Sequence, residues 1–138
     1  MIGRLYLTRR QWQSMRRHVE RQAPVEACGL LAGENNRVEE VLRIRNAAQS
    51  PVRFRMEPRE QLQALRWIDE QGLDLVGIFH SHPAGPAVLS PTDIAESAYE
   101  AVHIIWYRDT TDWQARGFWI EGGKVKPVTL QIMDHEQP

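Results

Sequence analysis

The sequence predicts a mixed α/β domain in which a central mixed β-sheet is flanked by about three helices. Two observations predict this class: segments with apolar residues at helical spacing alternate with short apolar or alternating runs typical of strands. A length of 138 residues fits one domain that can bury a core without disulfides. We expect that domain to span residues 1–132, with a short C-terminal tail at 133–138.

The predicted helices cover residues 9–22, 58–72 and 90 to about 101. Thr8 is a suitable N-cap for the first, which ends before Pro24. Pro58 is a suitable first residue for the second, and Ser90-Pro91 opens the third. Their predicted buried positions recur every three or four residues: Trp12, Met15 and Val19 in the first helix, and Leu62, Leu65 and Ile68 in the second.

The predicted strands are short, and turn signals separate several of them. They cover residues 4–7, 25–33, 37–45, 52–56, 73–79, 102–107, 114–121 and 125–132. Two hairpins are expected, at Glu34-Asn35-Asn36 and at Gly122-Gly123, because these residues favour tight turns. The segment 83–89 contains Gly85 and Pro86 and is expected to be irregular.

Composition excludes several classes of protein. One cysteine, Cys28, permits no internal disulfide, and no apolar run is long enough for a signal peptide or a membrane span. We therefore expect a cytoplasmic protein that does not bind a membrane. Residues 1–66 carry 13 Arg against 7 acids, whereas residues 67–138 carry 4 basic residues against 11 acids. These charges either neutralise one another in the fold or form a basic face that steers a charged protein partner. Nucleic-acid binding is not expected, because no recognition motif is present.

Metal-ligating side chains cluster between residues 80 and 93. His80 and His82 are two apart, so on a strand they point to one face and can meet one ion. Such a pair alone is equally consistent with a structural role. Asp93 is either a helix-start carboxylate or a third ligand. Two histidines and one carboxylate would leave a fourth tetrahedral position for water, as in catalytic zinc sites.

Two further residues are candidates for the chemistry. Glu26 lies in an otherwise apolar run, where an inward carboxylate is costly unless it is used; alternatively it faces solvent at a strand edge. Ser90 is either a helix N-cap alone or also a hydrogen-bond donor to a developing oxyanion.

Together these positions form the pattern E…H-x-H-x7-S-x-x-D, from Glu26 through His80, His82 and Ser90 to Asp93. The flanking runs PVEACGLL and GIFHSHP fit as well. The chain thereby resembles the JAMM (MPN-plus) metalloisopeptidases, in the compact, stand-alone prokaryotic branch. The resemblance extends from about Leu5 to Leu130. One departure is Leu89, where many members have Pro before the motif serine; it removes no ligand.

This resemblance implies a cytidine-deaminase-like fold and one Zn²⁺ per chain, held by His80, His82 and Asp93. It implies that Glu26 takes a proton from the zinc-bound water and passes it to the leaving amine, while Ser90 stabilises the tetrahedral intermediate. The implied substrate is a ubiquitin-like or sulfur-carrier protein, cleaved at its extended Gly-Gly tail. The carrier, the type of scissile bond and the oligomeric state remain open.

Two other functions compete with this one. A non-catalytic MPN-type scaffold for protein interactions would share the fold, but the complete ligand set argues against it. A zinc deaminase usually needs paired cysteines as ligands, which a single Cys28 cannot supply.

The remaining histidines, the cysteine and the tryptophans have structural interpretations. Cys28 and His103 are expected in or near the core, and His18 and His135 on the surface. Trp106, Trp113 and Trp119 are expected to pack in the core or at its edge, although a substrate platform is the alternative.

Overall fold

Seven strands and two helices make up the described part of the chain, which in this computed structural model comprises residues 3–90, 93, 100–110 and 112–134. The strands are β1 (Arg4–Thr8), β2 (Cys28–Glu34), β3 (Arg37–Ile44), β4 (Asp74–His82), β5 (Val102–Asp109), β6 (Asp112–Glu121) and β7 (Lys124–Met133). The helices are α1 (Arg9–Gln22) and α2 (Pro58–Glu70). None of the described helices is long and apolar enough to cross a membrane.

Both helices begin at the residues that the sequence indicated. Thr8 Oγ1 accepts the Gln11 N–H at 3.1 Å, and the Gln11 side chain accepts the Thr8 N–H at 2.8 Å. This reciprocal pair satisfies two donors at the start of α1. The predicted third helix lies mostly outside the described residues, so only α1 and α2 are confirmed.

The strands form one mixed sheet that closes into a barrel, in the order β1-β3-β2-β4-β5-β6-β7. The prediction of a central mixed sheet is thus confirmed, with closure as an addition to it. Strand β4 is central, antiparallel to β2 and parallel to β5. The barrel closes through β1, which lies between β7 and β3. Five residues of β1 pair with β7, whereas β1 and β3 share the single pair Tyr6 and Arg37.

Two apolar clusters pack on opposite faces of this sheet. The inner one draws buried residues from all seven strands and from α1, whose Met15 and Val19 are fully buried. It includes Trp106, Trp113 and Trp119, which confirms their predicted packing role. The outer cluster joins β2, β3 and β4 to α2 through Ile68. His80 and His82, the predicted metal ligands on β4, lie on the outer face with Ile78, since residues two apart on a strand share a face.

Three local predictions were wrong or displaced. The predicted strand 52–56 is a loop that makes only one isolated bridge, between Asn46 and Met56. Its alternating pattern arises because Phe54 and Met56 turn inward while Arg53 and Arg55 stay exposed. Strand β2 starts at Cys28 instead of residue 25, which places Glu26 just before the strand. His18 is half-buried against the edge of Phe79, because α1 packs that face onto the sheet.

Candidate metal centre

Strand β4 presents His80 and His82 side by side on the outer face of the barrel. Both are buried, with 1% and 7% of their surfaces exposed. Pairing on both sides of β4 fixes their positions: His80 lies opposite Cys28 of β2 and Ile105 of β5. The two Nε2 atoms are 3.0 Å apart, which brings the imidazoles to one point as their spacing predicted.

Asp93 reaches the same point from a helix start. The Ser90 N–H donates to Asp93 Oδ2 at 2.8 Å, and the Asp93 N–H donates to Ser90 Oγ at 3.0 Å. This reciprocal arrangement is the capping pattern expected from the sequence. Capping holds the carboxylate still, and the same Oδ2 lies 3.3 Å from His80 Nε2 and 3.2 Å from His82 Nε2.

The triangle of His80 Nε2, His82 Nε2 and Asp93 Oδ2 fits one face of a zinc coordination sphere. Its edges are 3.0, 3.3 and 3.2 Å. A tetrahedral zinc site with bonds of about 2.0–2.1 Å has edges of about 3.3–3.4 Å. The donor set, two imidazoles and one carboxylate, is also one that zinc accepts while leaving a position open for water.

Charge in this triangle is already arranged for a cation. Burial would raise the pKa of Asp93, but hydrogen bonds from His80, His82 and Ser90 outweigh it and hold that pKa well below its usual range. Burial lowers the pKa of His80, which favours the neutral form of its ring. Burial disfavours the charged form of His82, but hydrogen bonds to Asp93 and to the Pro86 carbonyl, 2.9 Å from Nδ1, outweigh it and raise the pKa of this ring. The Pro86 carbonyl can hold the proton on Nδ1, so that Nε2 could lose its proton to a metal ion.

Glu26 completes the group. Only 3% of its surface is exposed, and its carboxylate and the two imidazoles have nitrogen and oxygen atoms within 4.8 Å of one another. Burial raises the pKa of Glu26 to about 7; the charge of His82 opposes this shift and that of Asp93 adds to it. A buried carboxylate with a pKa near neutrality suits proton transfer better than permanent ligation. Asp93 is the carboxylate closer to both imidazoles, at 3.3 and 3.2 Å from their Nε2 atoms.

Sequence comparison assigns the family. The family described as "Prokaryotic homologs of the JAB domain" matches residues 8–120, most of the chain. The chain belongs to this family. The match covers both Glu26 and the His80–Asp93 segment, so it includes all five predicted site residues of this JAB domain.

Individual relatives agree with this assignment. The JAB domain is 39% identical over 128 residues to the "Probable TtuB-protein conjugate cleaving protease" of Thermus thermophilus, covering 91% of this chain and 83% of the relative. It is 31% identical over 121 residues to the "CysO-cysteine peptidase" of Mycobacterium tuberculosis, covering 85% and 83%. The solution structure of protein DSY2949 from Desulfitobacterium hafniense superposes with a TM-score of 0.84 at 32% identity, covering 95% and 94%.

Asn46 holds the loop beside the centre, and sequence reasoning missed it. Its side chain is buried and makes four hydrogen bonds of 2.9–3.1 Å. The amide nitrogen donates to the carbonyls of Glu26 and Arg53, and the oxygen accepts the N–H groups of Ala48 and Arg55. The only signal in the sequence was a polar residue directly after a strand.

This loop, residues 46–56, supports both Glu26 and His80. The Ser50 carbonyl accepts the Glu26 N–H at 2.8 Å. Phe54 stacks on His80 with ring centroids 4.5 Å apart and an interplanar angle of 23°. Asn46 therefore fixes the backbone of this loop, and the loop in turn contacts Glu26 through Ser50 and His80 through Phe54.

Replacing Asn46 by Ala is expected to destabilise the domain by about 2–4 kcal/mol, since each lost hydrogen bond contributes about 1 kcal/mol and buried backbone groups are left unpaired. Urea unfolding measures this loss. Gln13→Ala, at an exposed position of α1, is the control and should stay much closer to wild type. Equal destabilisation by both variants would contradict the role of Asn46.

Ser81, between the two histidines, ties the other side of Glu26 to β4. It is fully buried and faces away from the centre. Its Oγ accepts the Ala27 N–H at 2.8 Å, and its own N–H donates to the Ala27 carbonyl at 3.0 Å. The segment carrying Glu26 is thus hydrogen-bonded to β4, the strand carrying His80 and His82, just beyond the last regular β2–β4 pair.

Cys28 is a core residue, as predicted, and we expect its thiol to be inert. It is fully buried, and burial, with the charges of Glu26 and Glu60, raises its pKa to about 12. A buried thiol that stays protonated is a poor nucleophile. Iodoacetamide should leave the folded protein unmodified at pH 8 and alkylate it in denaturant, as mass spectrometry would show. Rapid alkylation of the folded protein would contradict this burial.

Proposed function

We propose that this JAB domain is a zinc-dependent peptidase or isopeptidase that cleaves at the C-terminal tail of a ubiquitin-like or sulfur-carrier protein. The observation that carries the proposal is the buried triangle of two imidazoles and one ionised carboxylate beside a carboxyl group with a pKa near 7. In this proposal His80, His82 and Asp93 hold one Zn²⁺ per chain.

A bound Zn²⁺ supplies Lewis-acid activation of the scissile carbonyl and of the attacking water. Glu26 acts as the general base, because its carboxylate lies near the two imidazoles and is shielded from bulk solvent. It takes a proton from the water and later gives that proton to the leaving amine. The backbone contacts of Glu26 to Ser50 and Asn46 keep it aimed during both transfers.

Ser90 serves as both helix cap and oxyanion donor. Its Oγ already accepts the Asp93 N–H, so the hydroxyl proton remains available for another acceptor. We assign that proton to the oxygen that becomes negative in the tetrahedral intermediate. The two interpretations of Ser90 are therefore compatible, because capping uses a lone pair and catalysis uses the proton.

The substrate class is supported by the relatives. One is named for cleaving TtuB-protein conjugates and another for acting on CysO-cysteine. In both names a carrier protein is joined to a second group, either a protein or an amino acid. Hydrolysis of an amide bond at the carrier's C-terminus accounts for both.

The experiment uses those two carriers as probes. Purified protein is incubated with a TtuB-protein conjugate and with CysO-cysteine, and the products are identified by mass spectrometry. We expect release of the intact carrier with a free C-terminal carboxyl, together with the freed amine product, and the two product masses should sum to the mass of the conjugate plus one water. Failure to cleave either probe, with Zn²⁺ present and the fold verified, would count against the proposal.

A further inference from the structure

A basic cleft lies between the end of α1, the end of β3 and the loop 46–56, the same loop that contacts Glu26 and His80 in the candidate metal centre. Its volume is about 670 Å³. Arg21 and His18 line it from α1, Arg43 from β3, and Arg45 from the residue just after β3. Asn46 and Val25 also line it, so its wall includes the side chain that holds Glu26 and the residue that precedes it.

Among the described residues, the arginines of this cleft have fewer acids near them than their charge requires. Backbone hydrogen bonds from Glu60 and Arg59 chiefly lower the pKa of the nearby Glu57 carboxyl, and the charge of Arg45 lowers it further. Within the described ranges, no carboxylate lies at ion-pair distance from Arg21, Arg43 or Arg45. Glu60 is the one acid in the lining, and its Oε1 already accepts the Arg45 N–H at 2.8 Å. Other surface arginines do have partners, such as Arg16 with Glu20 and Arg9 with Asp134.

The positive charges also converge. Burial is the main reason why the pKa of His18 is lowered, and the charges of Arg43 and Arg21 lower it further, so both guanidinium groups lie close enough to act on one imidazole. Like charges held together with too few counter-charges repel one another, and an anionic partner would relieve that repulsion. Guanidinium groups bind carboxylates bidentately, which favours Asp and Glu side chains as the occupant.

We propose that this cleft docks an acidic segment on the folded body of the protein substrate, while the substrate's tail enters the metal centre. The inference rests on the proposed function and adds a second contact to it. A nucleic acid is the less suitable occupant, because none of the described residues that line the cleft is a Phe, Tyr or Trp that could stack a base, and the whole chain carries a net charge of −1.

A binding test needs no catalysis. A fluorescein-labelled octaglutamate peptide is titrated with wild-type protein at low salt, and anisotropy is recorded. We expect saturable binding that weakens with added salt and falls at least tenfold in the double variant Arg21→Glu/Arg43→Glu. Arg17→Glu, an exposed residue of α1 outside the cleft, is the matched control and should bind as wild type does. Equal binding by the double variant would overturn the proposal.

A gentler variant separates docking from folding. Arg21→Gln/Arg43→Gln removes the two charges without introducing acids into the last turn of α1, and should weaken binding by an intermediate factor. Tighter binding of an oligothymidine probe than of octaglutamate, with the same dependence on Arg21 and Arg43, would overturn the assignment to a protein partner.

A kinetic test links the cleft to cleavage. On the TtuB-protein conjugate, the double Glu variant should raise KM at least tenfold with kcat unchanged, because the cleft touches the substrate's body and not the scissile bond. Cleavage with an unchanged KM would overturn the docking proposal and leave the proposed function standing. Absence of cleavage by the wild type would instead remove the proposed function, and this docking role with it.

Discussion

Replacing Glu26 by Gln is expected to lower kcat by roughly 10²–10⁴-fold while leaving metal binding and the fold intact, since general-base catalysis contributes that much. Gln keeps the shape of the side chain but cannot take a proton from water. The backbone N–H and carbonyl of Glu26, which contact Ser50 and Asn46, are unaffected by the change. Steady-state cleavage of a carrier conjugate gives kcat, and elemental analysis gives metal per chain.

The control for this variant is Glu34→Gln, at the exposed end of β2. It makes the same chemical change away from the centre and should retain wild-type kcat. Wild-type kcat in Glu26→Gln would show that another group takes the proton. Loss of both metal and activity would indicate that Glu26 is a ligand.

Replacing Asp93 by Asn is expected to abolish both metal retention and activity. The amide oxygen can still accept the Ser90 N–H, so the helix-start cap survives, while the negative charge facing His80 and His82 is lost. A neutral amide is a much weaker zinc ligand than a carboxylate. Mutating residues that only hydrogen-bond to metal ligands already weakens metal affinity by about 10–100-fold, so we expect loss of a ligand to weaken it at least 100-fold. Competition with a chromophoric chelator measures that affinity.

Asp69→Asn, an exposed residue of α2, is the matched control and should bind metal as the wild type does. Circular dichroism of both variants shows whether the fold is kept. Retention of wild-type affinity in Asp93→Asn would remove Asp93 from the ligand set and leave Glu26 as the alternative third ligand.

The sequence was most informative where local chemistry determines structure. Thr8, Pro58 and the Gly122-Gly123 pair each placed the boundary of a helix or a hairpin, because capping and turn formation depend on a few adjacent residues. The proximity of His80, His82 and Asp93 could also be predicted, since the two-residue period on β4 and the hydrogen-bonded pair Ser90 and Asp93 follow local rules.

Features that depend on distant contacts were not accessible. Closure of the barrel requires β1 to pair with β7 across most of the chain, and no pattern in either strand specifies a partner. Residues 52–56 have the alternation of a strand, yet Asn46 binds the backbone groups of Arg53 and Arg55 and prevents a ladder. The half-burial of His18 likewise depends on which face of α1 meets the sheet.

The most direct test of this account is a zinc titration of metal-free protein, followed by the rate of carrier-conjugate cleavage. His80, His82 and Asp93 form a single triangle, so the account predicts no cleavage without metal. The rate should then rise linearly with added Zn²⁺ and reach a plateau at one equivalent per chain. Full cleavage by the metal-free protein, with a rate unaffected by Zn²⁺, would contradict the central claim.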